Sequence, residues 1–210
     1  ASIRRDRDPM FFAVPTIYIA LLNAPLPDEA FASIRYEFSA ASTMPREISA
    51  RWTERFGRPV YEGYGLTACS PFACYNHDFR HKFGSVGTPV ENFEIKILDG
   101  DDNELPLGKW GEICIKGPGV MKGYWNKPDE TGHALRNGWL HSGDIGTMDE
   151  DGFFYFKLRQ KRMIKSSGMN VYPAQVEDVL YRHPDVLKAC VIGVPDEKQV
   201  QRVKGFVVLK

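Results

Sequence analysis

The sequence predicts an α/β layer, then a small β-barrel or sandwich module, then the start of a separate α+β domain. Three observations carry this. Short apolar runs alternate with helix-period segments over residues 1–90. Apolar–polar alternation between Gly-rich turns takes over in residues 91–160. A new helix-then-strand pattern follows a basic stretch and fills residues 161–210. Strand–helix alternation is the mark of a layered α/β sheet, and short strands between turn clusters mark a small all-β module.

In chain order, Phe11-Phe12-Ala13-Val14 reads as a short buried strand. Pro15-Thr16 opens a helix carrying Ile17, Leu21 and Leu22. Ile34, Tyr36 and Phe38 alternate with polar residues, as in a half-buried strand. Pro45 starts a second helix, where its missing N–H costs nothing. Ile48, Trp52 and Phe56 recur every fourth residue as its apolar face, and Gly57 stops it. Pro59-Val60-Tyr61 is strand-like. Phe93, Ile95 and Ile97 alternate, as do Ile113 and Ile115, and Phe153–Phe156 is a further strand. Pro173 heads a helix with a Val176, Val179, Leu180 stripe, and Val191–Val194 and Phe206–Leu209 are strands. Both ends read as cut, so the chain reads as a piece of a longer protein.

Hydrophobic residues make up 43% of the 210, ordinary for a globular chain with a real core. Twenty-seven basic and 27 acidic residues cancel. A polyanion binder carries a basic excess, so nucleic acid is not expected as a partner. No apolar run reaches membrane-spanning length, so no membrane span is expected. Cys69, Cys74, Cys114 and Cys190 have no CxxC or regular spacing. They read as free, mostly buried thiols of a reducing compartment, and no residue is assigned as a metal ligand.

Several segments carry chemistry beside a plainer structural reading. In Glu62-Gly63-Tyr64-Gly65-Leu66-Thr67 the glycines allow close backbone approach, Tyr64 offers a flat ring and Thr67 a hydroxyl for phosphate. The plainer reading is a tight turn. Gly84-Ser85-Val86-Gly87-Thr88-Pro89 is not a GxGxxG and reads as a structural turn. In Gly138-Trp139-Leu140-His141-Ser142-Gly143-Asp144, an Asp closing a turn could take two neighbouring ribose hydroxyls, or merely cap the turn. Lys157, Arg159, Lys161, Arg162 and Lys165 form an acid-free basic run before Ser166-Ser167-Gly168, either a solvated face or a phosphate contact. The Asp99–Glu104 cluster lacks the glycine of a calcium loop. His77 and His81 lack a third ligand and read as surface histidines.

In order along nearly the whole chain, these segments resemble the adenylate-forming acyl-CoA ligases. Phe12–Tyr18, Gly111–Gly117, Val120–Trp125, Lys165–Pro173 and Gly193–Glu197 add to the segments above. The style of Glu62–Pro71 and Gly117–Pro128 is nearest the medium- and long-chain fatty acyl-CoA ligases. The resemblance implies that residues 1–90 are the C-terminal part of a large α/β domain. Residues 91–160 would then be its small β-barrel subdomain, and residues 161–210 the start of a small mobile C-terminal domain. It implies activation of a carboxylic acid by ATP to an acyl-adenylate, then transfer to coenzyme A. It implies that Ala41 and Ser42 pass one side of the adenine, that Tyr64 lies on the other, and that Thr67 meets the phosphate. Glu62, Gly63, Gly65 and Leu66 complete that segment. Asp144 would hold the ribose with Arg159 beside it, Lys161 would be the hinge, and Lys165, Ser167 and Gly168 would face the thioester-forming site. Thr67, Arg159 and Lys165 are the implied catalytic residues. Implied partners are a small carboxylic acid, ATP or AMP, coenzyme A and Mg²⁺. The implied setting is cytoplasmic, compatible with peripheral membrane association and a homo-oligomer.

The chain departs from the family pattern. Ala68 stands where a Glu is thought to hold Mg²⁺, which puts that ion and turnover in question. Leu158, Arg162 and Gln175 replace usual residues, and the loop from Ser39 lacks a double glycine. The family's phosphate loop and its C-terminal catalytic lysine fall outside this sequence, so the fragment alone is expected to be inactive. Two alternatives stay open: an adenylation enzyme that loads a carrier protein, and a non-catalytic relative marked by Ala68.

Overall fold

The computed structural model describes residues 9–160, 163–167, 169–196 and 200–209. The chain divides into two compact units, residues 1–142 with 147–156, and residues 143–146 with 157–210. Among the described residues no helix is long and apolar enough to cross a membrane.

The first unit opens with β1 (Met10–Ala13), α1 (Pro15–Leu22) and a 3-10 turn at Asp28–Phe31. Then come β2 (Tyr36–Ser39), α2 (Arg46–Phe56), β3 (Tyr61–Gly65) and a second 3-10 turn at Thr67–Cys69. β4 (Phe72–Tyr75) and β5 (Thr88–Pro89) complete a sheet of order β1-β2-β3-β4-β5. β1, β2 and β3 are parallel, β4 pairs antiparallel with β3, and β5 pairs antiparallel with β4. The carboxyl ends of the three parallel strands therefore lie along one sheet edge, where ligands bind in α/β folds.

The core behind β1–β3 follows the aromatic pattern of α2. Trp52 is fully buried, with Tyr18, Phe31 and Phe56 ring centroids 4.7, 4.8 and 4.5 Å away. Gly57, at φ 72, ends α2 in a left-handed turn, as its residue type requires. α1 differs from its expected face. Tyr18 and Leu22, one turn apart, are the buried pair, while Ile17 is exposed. β1 is also less buried than its apolar run suggests, with Met10 and Phe12 exposed. In β2 the alternation fails, because Glu37 is buried beside Phe38 and accepts a hydrogen bond from the Trp52 indole.

A second sheet is built from β6 (Glu94–Leu98), β7 (Gly111–Lys116), β9 (Trp139–Met148) and β10 (Phe154–Arg159). Its order is β10-β9-β7-β6, with β8 (Leu135–Arg136) paired to β9 and α3 (Pro128–Ala134) just before it. Asn137 and Gly138, at φ 53 and 80, form a two-residue hairpin loop between β8 and β9. Asn-Gly is the preferred pair there because both positions need positive φ.

The second unit holds β11 (Ile164–Ser166), β12 (Met169–Val171), α4 (Pro173–Tyr181), β13 (Val186–Asp196) and β14 (Val200–Leu209), with sheet order β12-β11-β14-β13. The two late strands are far longer than their apolar runs. Val179 of the expected α4 stripe is exposed, while Val176 and Leu180 are half-buried.

Candidate active site

Two loops leave the carboxyl ends of adjacent parallel strands, one after Ser39 of β2 and one after Gly65 of β3. Ser39 pairs directly with Glu62 across the two strands. The first loop carries Ala41 and Ser42, both exposed. Ala41 sits at φ 73, in the left-handed region that a glycine would occupy without the Cβ clash, which costs roughly 1 kcal/mol. This is the loop that lacks the expected double glycine.

Glu62 ties the first loop to β3. It is buried, and its Oε2 accepts a hydrogen bond at 2.9 Å from the backbone N–H of Met44, at the end of the Ala41 loop. Burial pushes its carboxyl up to about 7, against the opposing pull of that hydrogen bond. The ordinary value is 4.5, so the folded chain holds an extra proton between about pH 4.5 and 7. This group's contribution to stability is full below that window and is lost as pH rises through it. Glu62→Gln keeps an acceptor for Met44 and removes the buried charge. The variant is expected to be more stable than the native chain at pH 8, by on the order of 2 kcal/mol, and no more stable at pH 4. Chemical denaturation at the two pH values checks this.

The Glu62–Gly65 stretch is strand, not the tight turn of the plainer reading, and its glycines serve the protein's own packing. A Cβ on Gly63 would lie 2.3 Å from the Phe38 ring, and one on Gly65 would lie 1.9 Å from the Pro71 carbonyl oxygen. Tyr64 is buried, with Phe156 stacked on its ring at 6.1 Å. Leu66 is half-buried and Thr67 is exposed at the start of the following turn. Cys69 braces that turn, its Sγ 3.2 Å from the Leu66 carbonyl oxygen and 3.0 Å from that of Pro71. The Gly117–Tyr124 segment supports it from below. The Met121 N–H donates to the Ala68 carbonyl at 2.8 Å, and a Cβ on Gly119 would meet the Cys69 oxygen at 2.8 Å. The Gly84–Pro89 loop is structural as expected. Buried Asn76 donates to the Glu62 and Ser85 carbonyls at 3.0 and 2.8 Å, and Gly87, at φ 92, presses on the Tyr75 backbone.

In the second unit, Asp144 is 2% exposed and lies within β9 rather than at the end of a tight turn. Gly143, at φ 70, bends the strand just before it. Arg159 brings its Nε to 3.4 Å from Asp144 Oδ1, so the structure pairs these two expected site residues. The Arg159 side chain is 68% exposed, so the pair adds little stability. Leu158 beside it is buried. Lys165 is exposed on β11, its backbone N–H bonded to Gln201 Oε1 at 2.8 Å. Ser167, at φ 51, follows in the β11–β12 turn. Lys161 and Gly168 lie outside the described residues.

Mg²⁺ finds no side-chain ligand at position 68. Ala68 is a buried methyl in the core cluster with Cys69 and Ala73, so this position does not fit the ion and no step is derived through it. The histidines read as surface residues are ring contacts: His77 packs against Tyr75 and Phe79, and His81 against Tyr61. Sequence spacing missed a cluster of Glu112, Cys114 and His141, whose donor atoms lie within 4.8 Å of one another. The available signal was the i, i+2 placement of Glu112 and Cys114, which puts both on one face of a strand.

The pattern of the AMP-binding enzyme family matches residues 2–125, and that of the AMP-binding enzyme C-terminal domain matches residues 175–210. A long-chain-fatty-acid–CoA ligase of Escherichia coli O6:H1 is 44% identical over 94% of this chain and 36% of its own length. One from Bacillus subtilis is 42% identical over 99% of this chain and 38% of its own. The chain thus spans little more than a third of the length of these curated relatives. The solved structure of o-succinylbenzoate CoA synthetase from Bacillus subtilis in complex with its acyl-adenylate intermediate superposes with a TM-score of 0.81. That protein is 35% identical, over all of this chain and 43% of the other.

Proposed function

Because the chain belongs to the family of AMP-binding enzymes, we propose that the protein carrying it activates a fatty acid with ATP and passes the acyl group to coenzyme A. A carboxylate is a poor electrophile, and its mixed anhydride with AMP is a good one. In the first step a carboxylate oxygen attacks the α-phosphorus of ATP, the bond to the bridging oxygen breaks, and pyrophosphate leaves. In the second, the sulfur of coenzyme A attacks the acyl carbon, AMP departs with the bonding pair, and the thiol proton goes to solvent.

The observation that carries this reading is the tie that buried Glu62 of β3 makes to the Ala41 loop, between the carboxyl-end halves of two neighbouring parallel strands. It supports a preorganised nucleotide cradle, and positioning is most of what this chemistry asks of a protein. Ala41 and Ser42 would line one side of the adenine, and Tyr64 would lie on the other. The exposed hydroxyl of Thr67 would hydrogen-bond the phosphate. Buried Asp144 would take the two ribose hydroxyls with Arg159 beside it. Lys161 would be the pivot between half-reactions, with Lys165, Ser167 and Gly168 facing the thioester-forming step. The three buried free thiols, Cys69, Cys74 and Cys114, support a reducing, cytoplasmic setting.

Full-length protein incubated with ATP, Mg²⁺, coenzyme A and a panel of carboxylic acids is expected to release pyrophosphate and form an acyl thioester with long-chain acids. Absence of pyrophosphate with every acid would overturn the reading. Ala68 favours one other reading, a relative that binds nucleotide without turning over. That reading expects tight AMP binding, no pyrophosphate, and recovery of release in Ala68→Glu.

A further inference from the structure

Glu112 and Cys114 project from one face of β7, and His141 reaches them from the neighbouring strand β9. Cys114 Sγ lies 3.3 Å from His141 Nδ1, which lies 2.9 Å from Glu112 Oε2. All three residues are more than nine-tenths buried, at 8%, 0% and 8% exposure for Glu112, Cys114 and His141. On the far side of the ring, Nε2 has no hydrogen-bond partner among the described residues and faces Asp102 Oδ1 at 3.7 Å.

Only a doubly protonated imidazole would present a donor to both carboxylates, and a neutral ring serves this group poorly. A neutral imidazole with its proton on Nδ1 satisfies Glu112 but leaves Nε2 a bare acceptor facing a carboxylate. With the proton on Nε2, the N–H faces the Asp102 carboxylate at 3.7 Å, just beyond hydrogen-bond length, and Nδ1 turns its lone pair toward a carboxylate and a thiol. That second state is the arrangement of a metal-bound histidine, whose outer N–H is steadied by a carboxylate. We propose that Glu112, Cys114 and His141 form a binding site for a divalent cation of the zinc class, with Asp102 as the outer partner of the imidazole.

Bonds of about 2.0–2.3 Å to N, O and S in a tetrahedral shell separate ligands by a little over 3 Å. The two His141 edges, 2.9 and 3.3 Å, need to open by only a few tenths, and the Glu112–Cys114 edge, within 4.8 Å, has to settle to a similar length. Thiolate with imidazole selects zinc, cobalt or copper over magnesium and calcium. On binding, the Sγ–H bond breaks, its proton leaves to solvent, and the two anionic ligands balance the ion's charge. Arg136, 3.5 Å from Glu112, opposes the cation, but Asp102 holds that guanidinium through two hydrogen bonds. The ion would staple β7 to β9 three residues before Asp144.

The test uses the full chain, reduced and stripped of metal with a chelator, then titrated with Co²⁺ alone. The expected result is one Co²⁺ per chain, with thiolate-to-cobalt charge-transfer absorption and strong four-coordinate visible bands, both lost when Zn²⁺ is added. Cys114→Ser is expected to abolish the charge-transfer band, and His141→Gln to weaken binding at least tenfold. Cys190→Ser, which removes the one exposed thiol, is expected to change nothing. X-ray absorption at the zinc edge of the unmutated chain does not depend on any variant folding, and one sulfur ligand is expected. Absence of the charge-transfer band, its survival in Cys114→Ser, its loss in Cys190→Ser, or a zinc shell of nitrogen and oxygen only would each overturn the proposal.

Discussion

Asp144→Asn in the full-length enzyme is expected to raise the KM for ATP by about two orders of magnitude while leaving the fold intact. The carboxylate is 2% exposed, so two hydroxyls meeting it would do so away from bulk water. Hydrogen bonds to a charged group contribute roughly 1.5–3 kcal/mol each. The amide keeps one acceptor and turns a donor toward the second hydroxyl, so about 3 kcal/mol of binding is lost. Arg159 survives the change at little cost because its side chain is mostly in solvent. Steady-state kinetics against ATP, with circular dichroism as the folding control, measures the effect. An unchanged KM would remove Asp144 from the nucleotide site.

Trp52→Ala is expected to be the most damaging single change to the first unit. The indole is fully buried among Tyr18, Phe31 and Phe56, and truncating a large core aromatic costs roughly 3–5 kcal/mol. A second loss is electrostatic. Burial already pushes the Glu37 carboxyl up to about 7, and the hydrogen bond from Trp52 opposes that push. Trp52→Phe separates the two effects, since it fills most of the cavity and removes only the donor. Its destabilisation is expected to be larger at pH 8, where Glu37 is ionised, than at pH 5, where the folded chain keeps it protonated. Equal losses at both pH values would show that the indole N–H contributes nothing to holding the charge. The Ala variant is expected to lower the unfolding midpoint by about 10 °C.

Much of the fold was legible because local periodicity and punctuation suffice where one face is buried against one neighbour. Ile48, Trp52 and Phe56 with Gly57 describe α2 almost residue for residue. The alternation at Ile95, Ile97, Ile113 and Ile115 describes β6 and β7. Legibility failed where a side chain answered to a distant partner. Glu37 breaks the alternation of β2 because the Trp52 indole meets it from α2. Tyr18 rather than Ile17 is buried in α1 because its hydroxyl donates to the Phe38 carbonyl at 3.0 Å. The glycines at 63 and 65 look like room for a ligand in one dimension. In three dimensions that room is filled by Phe38 and Pro71.

The candidate site divides the same way. The order of short motifs carried the resemblance to the family to which the chain belongs, and that resemblance supplied the roles to test. The sequence could not say that Glu62 ties the Ala41 loop to β3. Nor could it say that Ala68 is a packed core methyl. Least of all could it say that Glu112, Cys114 and His141 converge. Those facts depend on contacts across 18 to 29 residues of chain, and pairing register is settled by the collective burial of side chains, which no single segment encodes.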